Sequence, residues 1–231
     1  MLASVSTLAK LRNQAEHWSK PRHAGVRPPP RRSFWSRTPR KHDDVFEKLV
    51  ARDGTQLVVR PIRKDDVDAL RRGFDRLTPA EVRMRFLHPL NELPEPFARE
   101  LCDLDPETAF AWVLADPDDV ESPEIHAVAR AFVDKVLDQA EFAIVVEGRF
   151  AHQGFGSLLM HRVIESARKL GATEMWSDVF LENNAMLALC ERLGFERSSA
   201  LHDPGLTRVT LDLRTFDRSG VDLSGQNQAK K

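Results

Sequence analysis

The sequence predicts an α/β (α+β) domain built on a mixed, largely antiparallel central sheet flanked by helices. Three observations carry this expectation. Strand-like segments at residues 108–115, 125–133 and 141–146 succeed one another with only turns between them, the pattern of an antiparallel meander. A long amphipathic helix then runs from Gln153 to Leu170, with Phe155, Leu158, Leu159, Val163, Ile164, Ala167 and Leu170 on one face. A strand at 174–180, a shorter helix at 183–193 and an alternating strand at 208–213 complete the set. A chain of 231 residues with 42% hydrophobic content can bury one such core.

The elements follow from local chemistry. Gln56 to Ile62 is strand-like, with Pro61 near its end. Asp65 or Asp66 is placed to cap a helix carrying Val67, Leu70 and Phe74. Thr78-Pro79-Ala80-Glu81 combines an N-cap threonine, a proline at N1 and a glutamate at N3, a capping box that starts a helix reaching towards Pro89. Pro96 begins another helix through Phe97, Leu101 and Leu104. Asp116-Pro117-Asp118-Asp119 makes the turn after the first strand of the meander. Gly171 and Gly194 stand just past the two later helices, where a left-handed residue ends a helix.

Charge divides the chain. Residues 1–41 hold ten Lys/Arg against the single acid Glu16, and the rest is correspondingly acidic, so the overall net charge is −1. With its Pro28-Pro29-Pro30-Arg31-Arg32 run and no sustained apolar period, 1–45 reads as a disordered basic tail. An acidic partner, nucleic acid or anionic lipid suits such a tail, and an Arg-rich, acid-poor start also fits an organelle transit peptide. No apolar stretch follows the start as in a secretory signal. Residues 46–217 form the expected folded domain, for which nucleic acid is not an expected partner, and 218–231 a polar tail. No run reaches the roughly 20 apolar residues of a membrane helix. Cys102 and Cys190 give neither a disulfide framework nor zinc spacing, so a cytoplasmic location is the default. His126 and His161 lack ligand spacing and read as structural, and no metal is expected.

The stretch AEFAIVVEGRFAHQGFGSLLMHRVIESARKLG, from Ala140 to Gly171, reads as strand, glycine turn and helix. Unpaired N–H groups and the positive end of a helix dipole converge at such a turn, which suits phosphate. Gly154 and Gly156 let backbone approach a pyrophosphate, but they also suit a helix packed close to a strand. The third glycine of a dinucleotide fingerprint and the Gly-Lys-Ser/Thr of a P-loop are both absent.

The strand AEFAIVV, the turn FAHQGFG, the helix SLLMHRVIESARKLG and the segment LENNAMLALCERLGFE together resemble the GNAT N-acetyltransferase superfamily, over roughly 56–213. The resemblance implies the GNAT fold and acetyl-CoA as cosubstrate. It places the pantetheine along Ile144, Val145 and Val146, the pyrophosphate on the turn formed by His152, Gln153, Gly154, Phe155, Gly156 and Ser157, and Asn183 beside the cofactor. Asn183 is equally suited to cap its own helix. Ala151 stands where the family has Arg or Gln, so the cradle relies on backbone amides, with His152 and Gln153 able to add side-chain donors. A narrower similarity, Phe74 to Glu81 and Arg83 to Pro89, is to the GNAT domain of Pat-type bacterial protein-lysine acetyltransferases. It implies a protein-lysine acceptor, acyl-CoA synthetases among such proteins, and Glu141 as general base. A small-molecule amine is the second choice of acceptor, and a non-catalytic acetyl-CoA or CoA sensor is the alternative of another class.

Acetyl transfer needs an unprotonated amine, a polarised thioester carbonyl and a leaving thiolate. A carboxylate in an apolar setting serves the first need and a backbone N–H the second. Many family members protonate the thiolate with a tyrosine. This chain has no tyrosine, and Cys190 stands at that place. Cys190 reads more simply as a small buried hydrophobe, leaving water to protonate the thiolate.

Overall fold

The computed structural model describes residues 47–200 and 203–216. The two expected tails lie outside the described residues.

Among the described residues eight strands form one sheet: β1 (Glu47–Val50), β2 (Gln56–Pro61), β3 (Ala109–Ala115), β4 (Ile125–Asp134), β5 (Gln139–Val146), β6 (Glu174–Phe180), β7 (Glu196–Ser199) and β8 (Leu206–Asp212). Their spatial order is β1-β2-β3-β4-β5-β6-β8-β7, and every neighbouring pair is antiparallel except β5–β6. The meander expected from the sequence is β3–β4–β5. β1 and β7 were not anticipated. Each is four residues long, and β7 (Glu-Arg-Ser-Ser) is exposed throughout, so neither carries a legible apolar alternation.

Because side chains alternate across a strand, the sheet separates two cores. On one face lie α1 (Val67–Asp75), α2 (Pro79–Phe86) and α3 (Glu95–Cys102), whose Leu70, Phe74, Val82 and Phe97 pack with Val113 and Val128. On the other lie α4 (Phe155–Lys169) and α5 (Asn184–Arg192), whose Leu159, Met160, Ile164 and Leu187 pack with Leu114, Ala129 and Phe142.

The capping box of α2 forms as expected: Glu81 N–H donates to Thr78 Oγ1 at 3.2 Å and Thr78 N–H to Glu81 Oε2 at 2.7 Å. α3 starts one residue before Pro96 and stops at Cys102, short of Leu104. Asp66 holds the N-cap position of α1 without a side-chain cap bond. Its carboxylate is instead bound bidentately by the buried Arg60 of β2, at 2.7 Å to each oxygen, and accepts the Arg63 N–H at 2.7 Å. The pair ties α1 to the sheet.

Removing one partner of such a pair strands a charge in the core. Asp66→Ala is therefore expected to cost about 3–5 kcal/mol, measured by urea denaturation. A loss under about 1 kcal/mol, the range of exposed pairs, would show that the pair does not anchor the helix.

Candidate active site

β5 and β6 begin side by side and then separate. Their pairing covers Gln139↔Glu174, Ala140↔Met175 and Glu141↔Trp176 and goes no further. β5 remains paired with β4 up to Val146, and β6 with β8 up to Phe180. The fork beyond Glu141 opens a cleft of about 450 Å³, closed at the sides by α2, the first turn of α4 and α5. Burial changes at the same point: Ala140, Glu141 and Phe142 are buried, and Ala143 to Val146 are half-buried.

Strand alternation assigns the groups along the fork. Glu147 donates its N–H to the His126 carbonyl on β4 at 2.9 Å. By parity, Phe142, Ile144 and Val146 direct their N–H and C=O groups away from β4, towards the departing β6. Their side chains lie on the α4 face, with the core that Ile144 and Val146 adjoin. Glu141, Ala143 and Val145 lie on the α1–α3 face, where Val145 joins the other core. The cleft therefore has two arms. One runs along Ile144 and Val146 to α4 and α5. The other runs from Glu141 towards Met84, Arg85, Phe97 and Leu101.

The first arm ends on the glycine turn. A short 3₁₀ turn (Gly148–Phe150) leads to His152 at φ 56°, then to Gly154 at φ 89°, the N-cap of α4. Left-handed backbone at His152 is uncommon for a non-glycine residue and marks a turn held in place by its surroundings. The first intrahelical bond of α4 is donated by Leu158 to the Gly154 carbonyl. The N–H groups of Phe155, Gly156 and Ser157 precede it and are available to an anion. A Cβ on Gly156 would meet Leu189 Cδ2 at 3.5 Å and Val146 Cγ2 at 3.9 Å, so the glycine keeps the ground between β5, α4 and α5 clear.

The expected residues are distributed unevenly. Glu141, Ile144, Val145, Val146, His152, Gly154, Gly156, Ser157 and Asn183 line the cleft, as does Ala151. Phe155 is in the core and offers only its amide. Gln153 turns its side chain away: its Oε1 accepts the Arg52 N–H at 2.8 Å and its Nε2 donates to the Arg149 carbonyl at 3.0 Å. Asn183 caps α5, accepting the Met186 N–H at 3.1 Å, so its Nδ2 is the group left for a ligand. Cys190 is 1% exposed and is not among the residues lining the cleft; burial pushes its thiol up to about 12.

Other features were not foreseen. The β1–β2 turn braces the glycine turn, through the Arg52–Gln153 bond and through Arg149, which donates to Asp53 at 2.7 Å and to Thr55 Oγ1 at 2.9 Å. From below, His126 places its ring nitrogens 2.9 Å from Asp116 Oδ1 and 3.1 Å from Glu147 Oε2, with its ring 4.6 Å from that of Phe150. Asp178, next to the fork on β6, lines the cleft and is bound bidentately by Arg208 at 2.9 Å, while the Arg208 guanidinium lies 4.0 Å over Trp176. The hydrogen bonds to Asp178 raise the Arg208 pKa. Arg192, exposed at the last turn of α5, adds a cation at the cleft wall. The alternation of residues 174–180 was the one available signal for Asp178, since it shares a face with Trp176.

Comparison with known proteins agrees with this architecture. Residues 76–195 match the model of the Acetyltransferase (GNAT) family. An acetyltransferase of Pseudomonas aeruginosa is 31% identical over 143 residues, 62% of this chain and 76% of that protein. The [ribosomal protein bS18]-alanine N-acetyltransferase of Escherichia coli is 36% identical over 72 residues; the match takes in 31% of this chain and only about half (49%) of that enzyme. Among solved structures, the GNAT domain of S. lividans PAT superposes with a TM-score of 0.63 at 22% identity, covering 72% of this chain and 96% of that domain.

Two outcomes test the site. Gly156→Val puts a branched side chain into the ground between β5 and α5, and is expected to weaken acetyl-CoA binding by at least about tenfold in a calorimetric titration, with the fold intact by circular dichroism. Unchanged affinity would remove the turn from the site. The Asp53 carboxyl is held well below the usual carboxylate range by the Thr55 hydroxyl and amide and then by Arg149. A depressed carboxyl contributes above its unfolded value of about 3.9 and loses that contribution as pH falls towards the folded value. Arg149→Ala loses the bonds to Asp53 and Thr55, an exposed set weakened by solvent screening, and is expected to melt slightly below wild type at pH 7, with the gap narrowing only below about pH 4. Equal melting temperatures at pH 7 would contradict the brace.

Proposed function

Because the chain belongs to the GNAT acetyltransferase family, we propose that it transfers the acetyl group of acetyl-CoA directly to an amine, with a protein lysine as acceptor and Glu141 as general base. The placement of Glu141 carries this proposal. It is 8% exposed, at the point where β5 and β6 part, and it lines the cleft. Two other carboxylates line the cleft, and both have structural duties. Asp178 is clamped by Arg208, and Glu81 closes the capping box of α2.

In this mechanism the pantetheine lies along Ile144 and Val146, where backbone groups face the fork, and the pyrophosphate takes the N–H groups at the start of α4. The thioester carbonyl then falls near the fork, where a β5 N–H polarises it. The acceptor enters on the α2–α3 side. Glu141, directly or through one water, removes the ammonium proton, because only the neutral amine has a lone pair to attack with. The amine nitrogen bonds to the acetyl carbon, and as the carbonyl re-forms the C–S bond breaks and the nitrogen's surplus proton passes to water. The leaving thiolate takes a proton from water, since the buried Cys190 thiol stays protonated and faces the core.

The acceptor amine has a second reading. The E. coli relative acts on an alanine of a ribosomal protein, which favours the α-amine of a protein N-terminus. The same base and cleft serve both amines. The Pat-type similarity at Phe74 to Pro89, which includes the helix forming the acceptor side, favours lysine.

Glu141→Gln is expected to lower kcat by about 10²–10⁴ in an assay of CoA released with acetyl-CoA and a lysine-bearing protein acceptor, while calorimetry finds acetyl-CoA binding unchanged. Turnover retained in Glu141→Gln would exclude the base. Acetyl-CoA binding without turnover on any amine would instead identify a sensor module. With no side-chain acid, kcat/KM is expected to rise with pH along one limb and level off. A bell-shaped profile would require an acid in the cleft.

A further inference from the structure

Arg130 stands in the middle of β4, opposite Ala111 on β3 and Ala143 on β5. The two alanines leave room for its guanidinium on the α1–α3 face. The residue is 2% exposed. Its Nη1 donates to the Leu101 carbonyl at 3.2 Å, its Nε has no partner, and among the described residues it forms no ion pair. Arg60, the other fully buried arginine, shows the usual arrangement, with a carboxylate on both terminal nitrogens. A buried cation is normally paired, because its desolvation is otherwise uncompensated. Burial lowers the Arg130 pKa to about 10, which still leaves it charged at neutral pH.

Arg130 lines a second cavity of about 50 Å³, between α1, α2 and β4. A single water needs about 10–15 Å³ on this measure, so the space admits a group of a few heavy atoms. Arg85, Phe86, Leu101 and Val145 belong to the walls of both this cavity and the main cleft. The two therefore lie against a shared wall, on the side where the proposed acceptor enters. The walls are otherwise largely apolar, and Arg85 is a second cation among them. A neutral ligand would leave the Arg130 charge uncompensated, whereas an anion would compensate it.

We propose that this cavity is a carboxylate-binding site in which Arg130 takes the anion. A planar carboxylate matches the fork of guanidinium donors and supplies the missing counter-charge. The carboxylate comes from one of two sources: a free small acid, or an Asp or Glu side chain of the acceptor lying close to the reactive amine. The second source rests on the acetyltransfer proposed above. The first does not.

Formate is the probe. In saturation-transfer NMR, formate is expected to give a saturable signal with wild-type protein, undiminished by chloride at equal ionic strength, and absent in Arg130→Met. Arg130→Lys keeps the charge but loses the fork, and is expected to bind at least about tenfold more weakly. Absence of a saturable formate signal in wild type overturns the proposal, as does undiminished binding in a folded Arg130→Met. Should Arg130→Met fail to fold, the wild-type titration and Arg130→Lys still decide. Acceptor peptides with Glu or Gln beside the lysine separate the sources. A Glu preference of tenfold or more in kcat/KM that disappears in Arg130→Lys assigns the site to the acceptor. Formate binding without such a preference assigns it to a free acid. Failure of acetyl transfer itself is read separately, from acetyl-CoA calorimetry, and leaves the formate result standing.

Discussion

The architecture depends on two strands that stop pairing. β5 keeps β4 along its whole length and β6 keeps β8, while the bond between the two halves lasts only from Gln139 to Glu141. Interiors are packed too densely to leave such a gap by default. Here the wedge is bounded by elements that could fill it but hold small residues at the approach, such as Ala143, Gly156, Ala185 and Ala188. The fork also exposes the one kind of polar group a folded sheet normally hides, backbone N–H and C=O in mid-strand. In the binding mode proposed above, an extended pantetheine would supply amides of its own to satisfy them.

The same fork orders the chemistry. Strand alternation sends Ile144 and Val146 to one side and Glu141 to the other, so in the proposed reaction cofactor and acceptor would approach from opposite faces of one strand. The turn after β5 brings the start of α4 to the far end of the cofactor arm. Its position does not rest on its own sequence alone. The β1–β2 turn holds it through Arg149 and Gln153, and His126, set between Asp116 and Glu147, supports it beneath Phe150. Charge is managed in the same way. Of the other carboxylates lining the cleft, Asp178 is tied to Arg208 and Glu81 to a helix cap.

The sequence made legible what short-range physics decides. The meander, the apolar face of α4, the capping box at Thr78 and the glycine at position 154 all followed from spacing and residue type. Four features did not. β1 and β7 are too short to show a period. Asp66 has a cap residue's identity, yet its carboxylate is drawn to Arg60, a partner fixed by the sheet. Gln153 looked like a ligand donor and is a strut, because residue 52 approaches it only in the fold. The fork itself has no local signature, since the parting of β5 and β6 is set by the neighbours each retains. Asp178 and Arg130 gain their significance only once that geometry exists.

Backbone hydrogen exchange read residue by residue, with and without saturating acetyl-CoA, shows whether the cofactor occupies the fork between β5 and β6. A cofactor bound in the fork would slow exchange at the Ile144 and Val146 amides, beyond the last β5–β6 pair, and at Phe155, Gly156 and Ser157. The Ala143 and Val145 amides, bonded to β4, would change little. Protection confined to other surfaces, or none at the fork while acetyl-CoA is bound, would show that the fork is not the cofactor site.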